Sequence, residues 1–155
     1  MVHELAELKE AEDSLQSVVN SLIDSQVSFR KLGEEMSEPM LKEIFLAESM
    51  QRARFRGDLE SVLHEEGVHD IRESGTVAGT LRRAWGEAKS RIARGDFTLL
   101  ERAENSENAT IRVYAEALET AFPFPVRQMI VSQYASINST HDFVKSVRDV
   151  ARKAA

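Results

Sequence analysis

Apolar residues return along this chain at alternating steps of four and three, and polar residues break the pattern at a few inward positions. Leu8, Glu12, Leu15, Val19, Leu22, Gln26 and Phe29 share one stripe, which predicts a helix from about His3 to Leu32, stopped by Gly33. Ser37 and Pro39 then offer a capping hydroxyl and a first-turn proline for a second helix, which runs to about Glu66 and ends at Gly67. Its inward stripe reads Leu41, Phe45, Glu48, Arg52, Phe55, Leu59 and Val62, with Ile44 and Gln51 on the shoulder. Residues 68–75 read as a loop. A shorter helix follows from Thr76 to Ala93, with Val77, Leu81, Ala84, Trp85, Ala88 and Ile92 on one face and Trp85 as a packing anchor. Asp96 is placed to cap a third long helix from Phe97 to about Ala121, whose stripe is Leu100, Ala103 or Glu104, Glu107, Ile111, Tyr114 and Leu118. Phe122-Pro123-Phe124-Pro125 forms an extended turn, because each proline disfavours helix at the residue before it. The last helix runs from Pro125 to about Arg152 and turns Val126, Ile130, Gln133, Ile137, His141, Val144 and Val147 inward.

These elements predict an all-α antiparallel four-helix bundle with a long crossover carrying a short fifth helix. The link between the first two long helices is short enough to make them antiparallel neighbours, and the prolines fold the last two into a second hairpin. The segment between the hairpins is too long for a turn, and its helix covers roughly 27 Å at ~1.5 Å per residue. It is therefore expected to carry the chain back along the bundle. Residues 1–155 form a single domain on this reading, long enough to bury a core without staples.

Composition narrows the function classes. There is no cysteine, which removes disulfides and thiolate metal sites. The formal charge of −6 argues against nucleic acid, and no apolar run reaches the length of a membrane span. The acid is concentrated early: residues 1–66 hold 15 Asp and Glu against 7 Lys and Arg, and residues 67–155 hold 11 against 13. The acidic, amphipathic N-terminus lacks the basic and apolar regions of a secretory signal, so the expected location is cytoplasmic. No Ser-His-Asp set, phosphate loop or dinucleotide fingerprint is present, and no catalytic residue is assigned. His3, His64 and His69 lie near helix ends or in loops without a partner at ligand spacing, and read as surface residues. Arg52 stands four residues after Glu48, at ion-pair spacing.

The chemistry worth weighing is in the polar members of the stripes. Measured from the tight turn after the first helix, Gln26, Glu48, Glu107 and His141 all fall about ten or eleven residues down the bundle, roughly 15 Å at the helical rise. The chain resembles the ferritin-like superfamily, whose di-iron members place one Glu on each of two helices and Glu-x-x-His on each of the other two. Here those slots read Gln26, Glu48-x-x-Gln51, Glu107 and Asn138-x-x-His141. More narrowly it resembles a bacterial domain-of-unknown-function family of ferritin-like four-helix bundles, over essentially the whole chain. That likeness is carried by Asp24-Ser25-Gln26-Val27-Ser28-Phe29, by Gly75-Thr76-Val77-Ala78-Gly79 with Arg83 and Trp85, and by Ala103-Glu104-Asn105-Ser106-Glu107 with Tyr114. His141-Asp142 and Arg148-Asp149 complete it. The family's first stretch more often reads Asp-Gly-Glu, so Gln26 departs from the commoner glutamate.

The resemblance implies Glu48, Glu107 and His141 as candidate metal ligands, with Gln26, Gln51, Glu104 and Asn138 as their neighbours. Two metal ions need several anionic ligands, and glutamine at positions 26 and 51 supplies none; Glu48, Glu107 and His141, with Glu104 as a fourth candidate if it faces inward, could hold one ion. The bland alternative is a hydrogen-bonded network that fixes helix register, with Gln26 and Gln51 donating to Glu48 and Glu107 and His141 paired with a carboxylate or Tyr114. On balance the expected function is a non-enzymatic helical bundle, an oligomerising or interaction module with a degenerate metal layer. No cofactor is expected on this reading, and the partner is a second copy of the chain. The rival is a metal-binding protein of the di-iron carboxylate type, holding iron or another divalent metal for oxidase, peroxidase or iron-handling chemistry.

Overall fold

A computed structural model describes residues 2–63, 75–92 and 94–153. Five α-helices account for nearly all of it: α1 (Val2–Glu35), α2 (Pro39–Leu63), α3 (Gly75–Lys89), α4 (Phe97–Ala117) and α5 (Phe124–Lys153). A 3₁₀ turn, Arg94–Asp96, leads into α4, and the described residues contain no strand. His64, Glu66, Gly67, His69 and the loop expected over residues 68–75 lie outside the described residues or at their edge, as do the side chains of His3, Leu8 and Val77.

α1 packs on α2 and on α4, α4 packs on α5, and α3 lies against both α2 and α5. Cross-helix contacts fix the directions. Phe29 meets Phe45 and Ser25 meets Arg52, so α1 and α2 are antiparallel. Ser14 bonds Thr120 while Ser25 and Glu107 share Arg52, so α1 and α4 are antiparallel too. Tyr114 bonds Gln133 and Arg148 reaches Glu104, which makes α4 and α5 antiparallel. Glu48 with Thr140, and Phe55 with Gln133, show the same for α2 and α5. All four long helices thus run against their neighbours, which requires the chain between α2 and α4 to return to the end where α1 turns into α2.

The return is pinned by Asp96. Its carboxylate accepts from the backbone N–H groups of Ser37 and Glu38 at 2.9 and 3.0 Å. The residue expected to cap its own helix, α4, makes no side-chain bond to it and instead serves the start of α2. The α2 cap itself is Glu38, whose Oε2 accepts from Leu41 N–H at 2.9 Å, in place of the expected Ser37 hydroxyl.

Gly33 also differs from expectation. α1 continues through it to Glu35, and a Cβ there would lie 3.0 Å from the Phe45 Cβ. The glycine lets α1 and α2 approach closely just before the turn; it does not end the helix. α4 stops at Ala117, short of the expected Ala121, and Arg127 closes the turn that follows by donating to the Leu118 carbonyl at 3.0 Å.

The core is split in two. One apolar cluster gathers Phe29, Leu32, Leu41, Phe45, Trp85, Leu100 and Val144 near the α1–α2 turn. The other gathers Leu15, Leu22, Phe55, Leu59, Tyr114, Ile130 and Ile137 toward the far end. Each large side chain fully buried in them contributes about 1.5–3 kcal/mol of transfer free energy. Ser25, Glu48, Arg52, Glu107 and Thr140, all buried, lie between the two.

Candidate functional site, a buried arginine between two carboxylates

Arg52 is wholly buried on the inward stripe of α2, where its guanidinium must find partners. It finds Glu107 on α4. Nη1 donates to Oε1 at 2.7 Å and Nη2 to Oε2 at 2.8 Å, a two-pronged bond with both side chains fully buried. Nη1 also donates to the Ser25 hydroxyl on α1 at 3.1 Å, and the guanidinium sits 5.1 Å from the centre of the Phe29 ring.

Glu48, one turn before Arg52, holds the weaker position. Its Oε2 is 3.7 Å from Nη2 and has no hydrogen-bond partner among the described residues. Its Oε1 accepts long bonds from Thr140 Oγ1 at 3.3 Å and from Trp85 Nε1 at 3.5 Å. Burial pushes the Glu48 carboxyl above its ordinary range; Arg52 pulls it down, and the Glu107 charge pushes it up again. For Arg52, burial is the largest influence and works against the charge, but Glu107, with help from Glu48 and Tyr114, holds the guanidinium more firmly protonated than usual. The layer therefore carries one firm ion pair and one carboxyl short of a counter-charge.

A second polar step lies two turns further along α4 and α5. Burial, more than the neighbouring charges, raises the Tyr114 phenol, which remains a donor and gives its proton to Gln133 Oε1 at 2.7 Å. Gln133 Nε2 in turn donates to the Phe55 carbonyl at 3.3 Å.

The residues singled out from sequence separate into two groups. Glu48 and Glu107 come together, with Arg52 between them. His141 lies elsewhere: its Nε2, buried and without a hydrogen bond among the described residues, is 3.8 Å from Glu104 at the half-buried edge of the α4–α5 seam, and its Nδ1 is 3.5 Å from Asp142. Arg148 also pairs with Glu104 and, at 2.9 Å, with Asp149, so the sequence features at 141–142 and 148–149 meet at one half-buried cluster. Gln26 is half-buried and enters only through its backbone carbonyl, which accepts from Ser49. Asn138 donates to the Tyr134 carbonyl of its own helix. Gln51 is buried, and its Nε2 has no partner among the described residues. Among those residues no group of three or more His, Asp or Glu side chains could hold a metal ion.

The inward positions on α1 and α5 are Ser25 and Thr140, where Gln26 and His141 were expected. Small residues leave room for the arginine fork and its phenylalanine lid, which glutamine and histidine would fill. The donors to Glu48 and Glu107 are accordingly Arg52, Thr140 and Trp85, not the glutamines.

A model of a protein family described as a domain of unknown function (DUF2383) matches residues 10–120. The chain belongs to that family. The matched stretch runs from within α1 to just beyond α4 and takes in Ser25, Glu48, Arg52, Trp85, Glu107 and Tyr114. Gln133, Thr140, His141 and Arg148 lie on α5, beyond the family match. No curated protein matches the chain. Among the described residues no helix is long and apolar enough to cross a membrane.

Proposed function

We propose that the chain is a single ferritin-like four-helix bundle in which an arginine takes the central place a metal would hold. On this reading it works as a non-enzymatic, self-associating interaction module of the cytoplasm. The antiparallel neighbours and the crossover returned to the α1–α2 turn support the ferritin-like arrangement. The observation that carries the functional reading is the Arg52–Glu107 fork. A divalent ion bridging Glu48 and Glu107 would have to displace a buried guanidinium that already satisfies one of them. The histidine expected to complete the ligand set faces Glu104 at the half-buried edge of the α4–α5 seam. The donors present in the layer therefore do not fit a di-metal centre, and no redox step is assigned to it. Self-association is supported by Ile23 on α1 and by Leu46 and Met50 one turn apart on α2, large apolar side chains left exposed on the first hairpin.

Two measurements test this. After anaerobic incubation with iron(II), and separately with manganese or zinc, followed by gel filtration, elemental analysis is expected to find no stoichiometric metal. A full equivalent that disappears in Glu107→Ala would overturn the arginine-filled reading. Light scattering is expected to give a mass above the 17.4 kDa of one chain, reduced in Leu46→Glu with Met50→Glu. A monomer at all concentrations would remove the self-association.

A further inference from the structure

A cavity of about 250 Å³ opens between α2, α3 and α5, directly beside the charged layer. Glu48 and Gln51 line it from α2, Trp85 from α3, and Ser136 and Ser139 from α5, with Arg82 at the exposed rim. The geometry points to this cavity as a binding site for a small amino alcohol, its ammonium head against Glu48 and its oxygen toward Gln51.

Charge count comes first. Two buried carboxylates share one guanidinium, and Glu107 takes its fork. Glu48 is left with an oxygen lacking any hydrogen bond and another held only by long bonds from neutral donors. With Glu48 ionised, one further positive charge on its cavity side would balance the layer. The walls suit an organic ammonium better than a bare metal ion. Trp85 stacks on Phe143 with ring centres 6.0 Å apart and planes 10° from parallel, giving the cavity an aromatic side that attracts ammonium groups. The serine hydroxyls can accept its remaining N–H bonds. A metal ion would find one carboxylate and neutral hydroxyls, too little anionic charge for a divalent cation.

Gln51 adds the second half of the recognition. Its side-chain N–H group is buried without an acceptor, and a ligand oxygen beside the ammonium supplies one. The volume is at the small end for ligand sites and holds a compact molecule. Arg82 at the rim disfavours a second positive charge, which selects against diamines. The raised Glu48 carboxyl agrees with this: a cation bound against it stabilises its ionised form, so binding should release protons near the pH at which the free carboxyl titrates.

The sequence holds one tryptophan, so Trp85 fluorescence reports directly on the cavity. The full chain is titrated with ethanolamine in its protonated form at constant ionic strength, in parallel with ethylene glycol and with sodium ion. Expected are a saturable fluorescence change with ethanolamine alone, a higher melting temperature, and affinity at least tenfold weaker in Glu48→Gln and in the cavity-filling Ser136→Phe. Circular dichroism confirms that each variant is folded. The absence of a saturable change, an equal response to ethylene glycol or sodium, or full affinity in either folded variant would each overturn the proposal. None of these outcomes depends on whether the layer can be loaded with metal.

Discussion

Replacing Arg52 with methionine keeps most of the side chain's length and its packing on Phe29, but removes the charge and every hydrogen bond. Glu107 is fully buried and would lose bonds of 2.7 and 2.8 Å at once, with no solvent to replace them. Removing one partner of a buried ion pair costs about 3–5 kcal/mol, because the other is left as an uncompensated charge. That is a large part of the roughly 5–15 kcal/mol total stability of a domain. At about 2–4 °C per kcal/mol for this size it amounts to a melting point lower by roughly 6–20 °C. Glu107→Leu should cost a similar amount by stranding the guanidinium. Made in a Glu48→Gln background, so that no buried carboxylate is left without its cation, the double variant Arg52→Met with Glu107→Leu replaces the pair by apolar side chains, which in comparable cases is neutral or stabilising. Urea unfolding followed by far-UV circular dichroism gives the three differences in that background. The expected result is a double variant close to its Glu48→Gln parent and a coupling energy of several kcal/mol. Single losses under about 1 kcal/mol, or losses that add within ~0.5 kcal/mol, would refute the account of Arg52 and Glu107 as one desolvated unit.

The other expectations follow from the same geometry. Glu48 has a folded-state carboxyl raised above 4.5, so its contribution is fully present below that pH and is lost as pH rises through the folded value. Glu48→Gln mimics the protonated form and should be at least as stable as wild type at neutral pH, with its advantage shrinking on acidification toward 4.5; a urea midpoint well below wild type at neutral pH would contradict this. Gly33→Ala should lose about 1 kcal/mol, since crowding against the Phe45 Cβ at 3.0 Å outweighs the helix propensity gained, whereas Gly57→Ala, with nothing within 4 Å, should gain about 0.5–1 kcal/mol in the same assay. Tyr114→Phe leaves the buried Gln133 Oε1 without its donor and should cost about 1–3 kcal/mol by thermal or urea unfolding. Asp96→Ala frees the N–H groups of Ser37 and Glu38 and should cost about 1–2 kcal/mol, with faster hydrogen exchange confined to the start of α2.

The helices and their order were legible because each long element repeats its apolar residues over several turns. The site was legible only in outline, and the misplacements share one cause. Between two apolar anchors seven residues apart, either the third or the fourth position completes the stripe. Leu22 and Phe29 leave a choice of Ser25 or Gln26, and Ile137 and Val144 a choice of Thr140 or His141. Periodicity cannot separate them, and the residue with the richer chemistry was preferred. What decides is volume: the Arg52 guanidinium, lying on Phe29 and forked onto Glu107, occupies the centre and admits only small neighbours. Arg52 itself was on the predicted inward stripe, which was the available signal. Its pairing was assigned to Glu48 by local spacing, whereas the stronger partner lies 55 residues away on α4. The Asp96 carboxylate shows the same limit, because a cap that serves another helix leaves no local mark.

An apolar layer could match this one in stability, so its value lies in specificity. The inward stripe of α2 repeats every seven residues, with Phe45, Arg52 and Leu59 equivalent. A bundle with α2 slipped by two turns would still bury an apolar stripe against α1 and α4. It would, however, set Phe45 or Leu59 opposite Glu107 and carry Arg52 into one of the two apolar clusters, where Val18 or Leu32 stands in place of Ser25 and offers its N–H groups no acceptor. Glu107 would then be buried and unpaired, and Arg52 would keep only its 3.7 Å contact with Glu48 on its own helix, at about 3–5 kcal/mol or more. The Arg52–Glu107 fork thus selects one register among several that hydrophobic packing alone leaves close in energy. The double variant that restores stability should consequently lose uniqueness. Its amide resonances should broaden or double in α2 and α4, while sharp single resonances throughout would show that packing by itself sets the register.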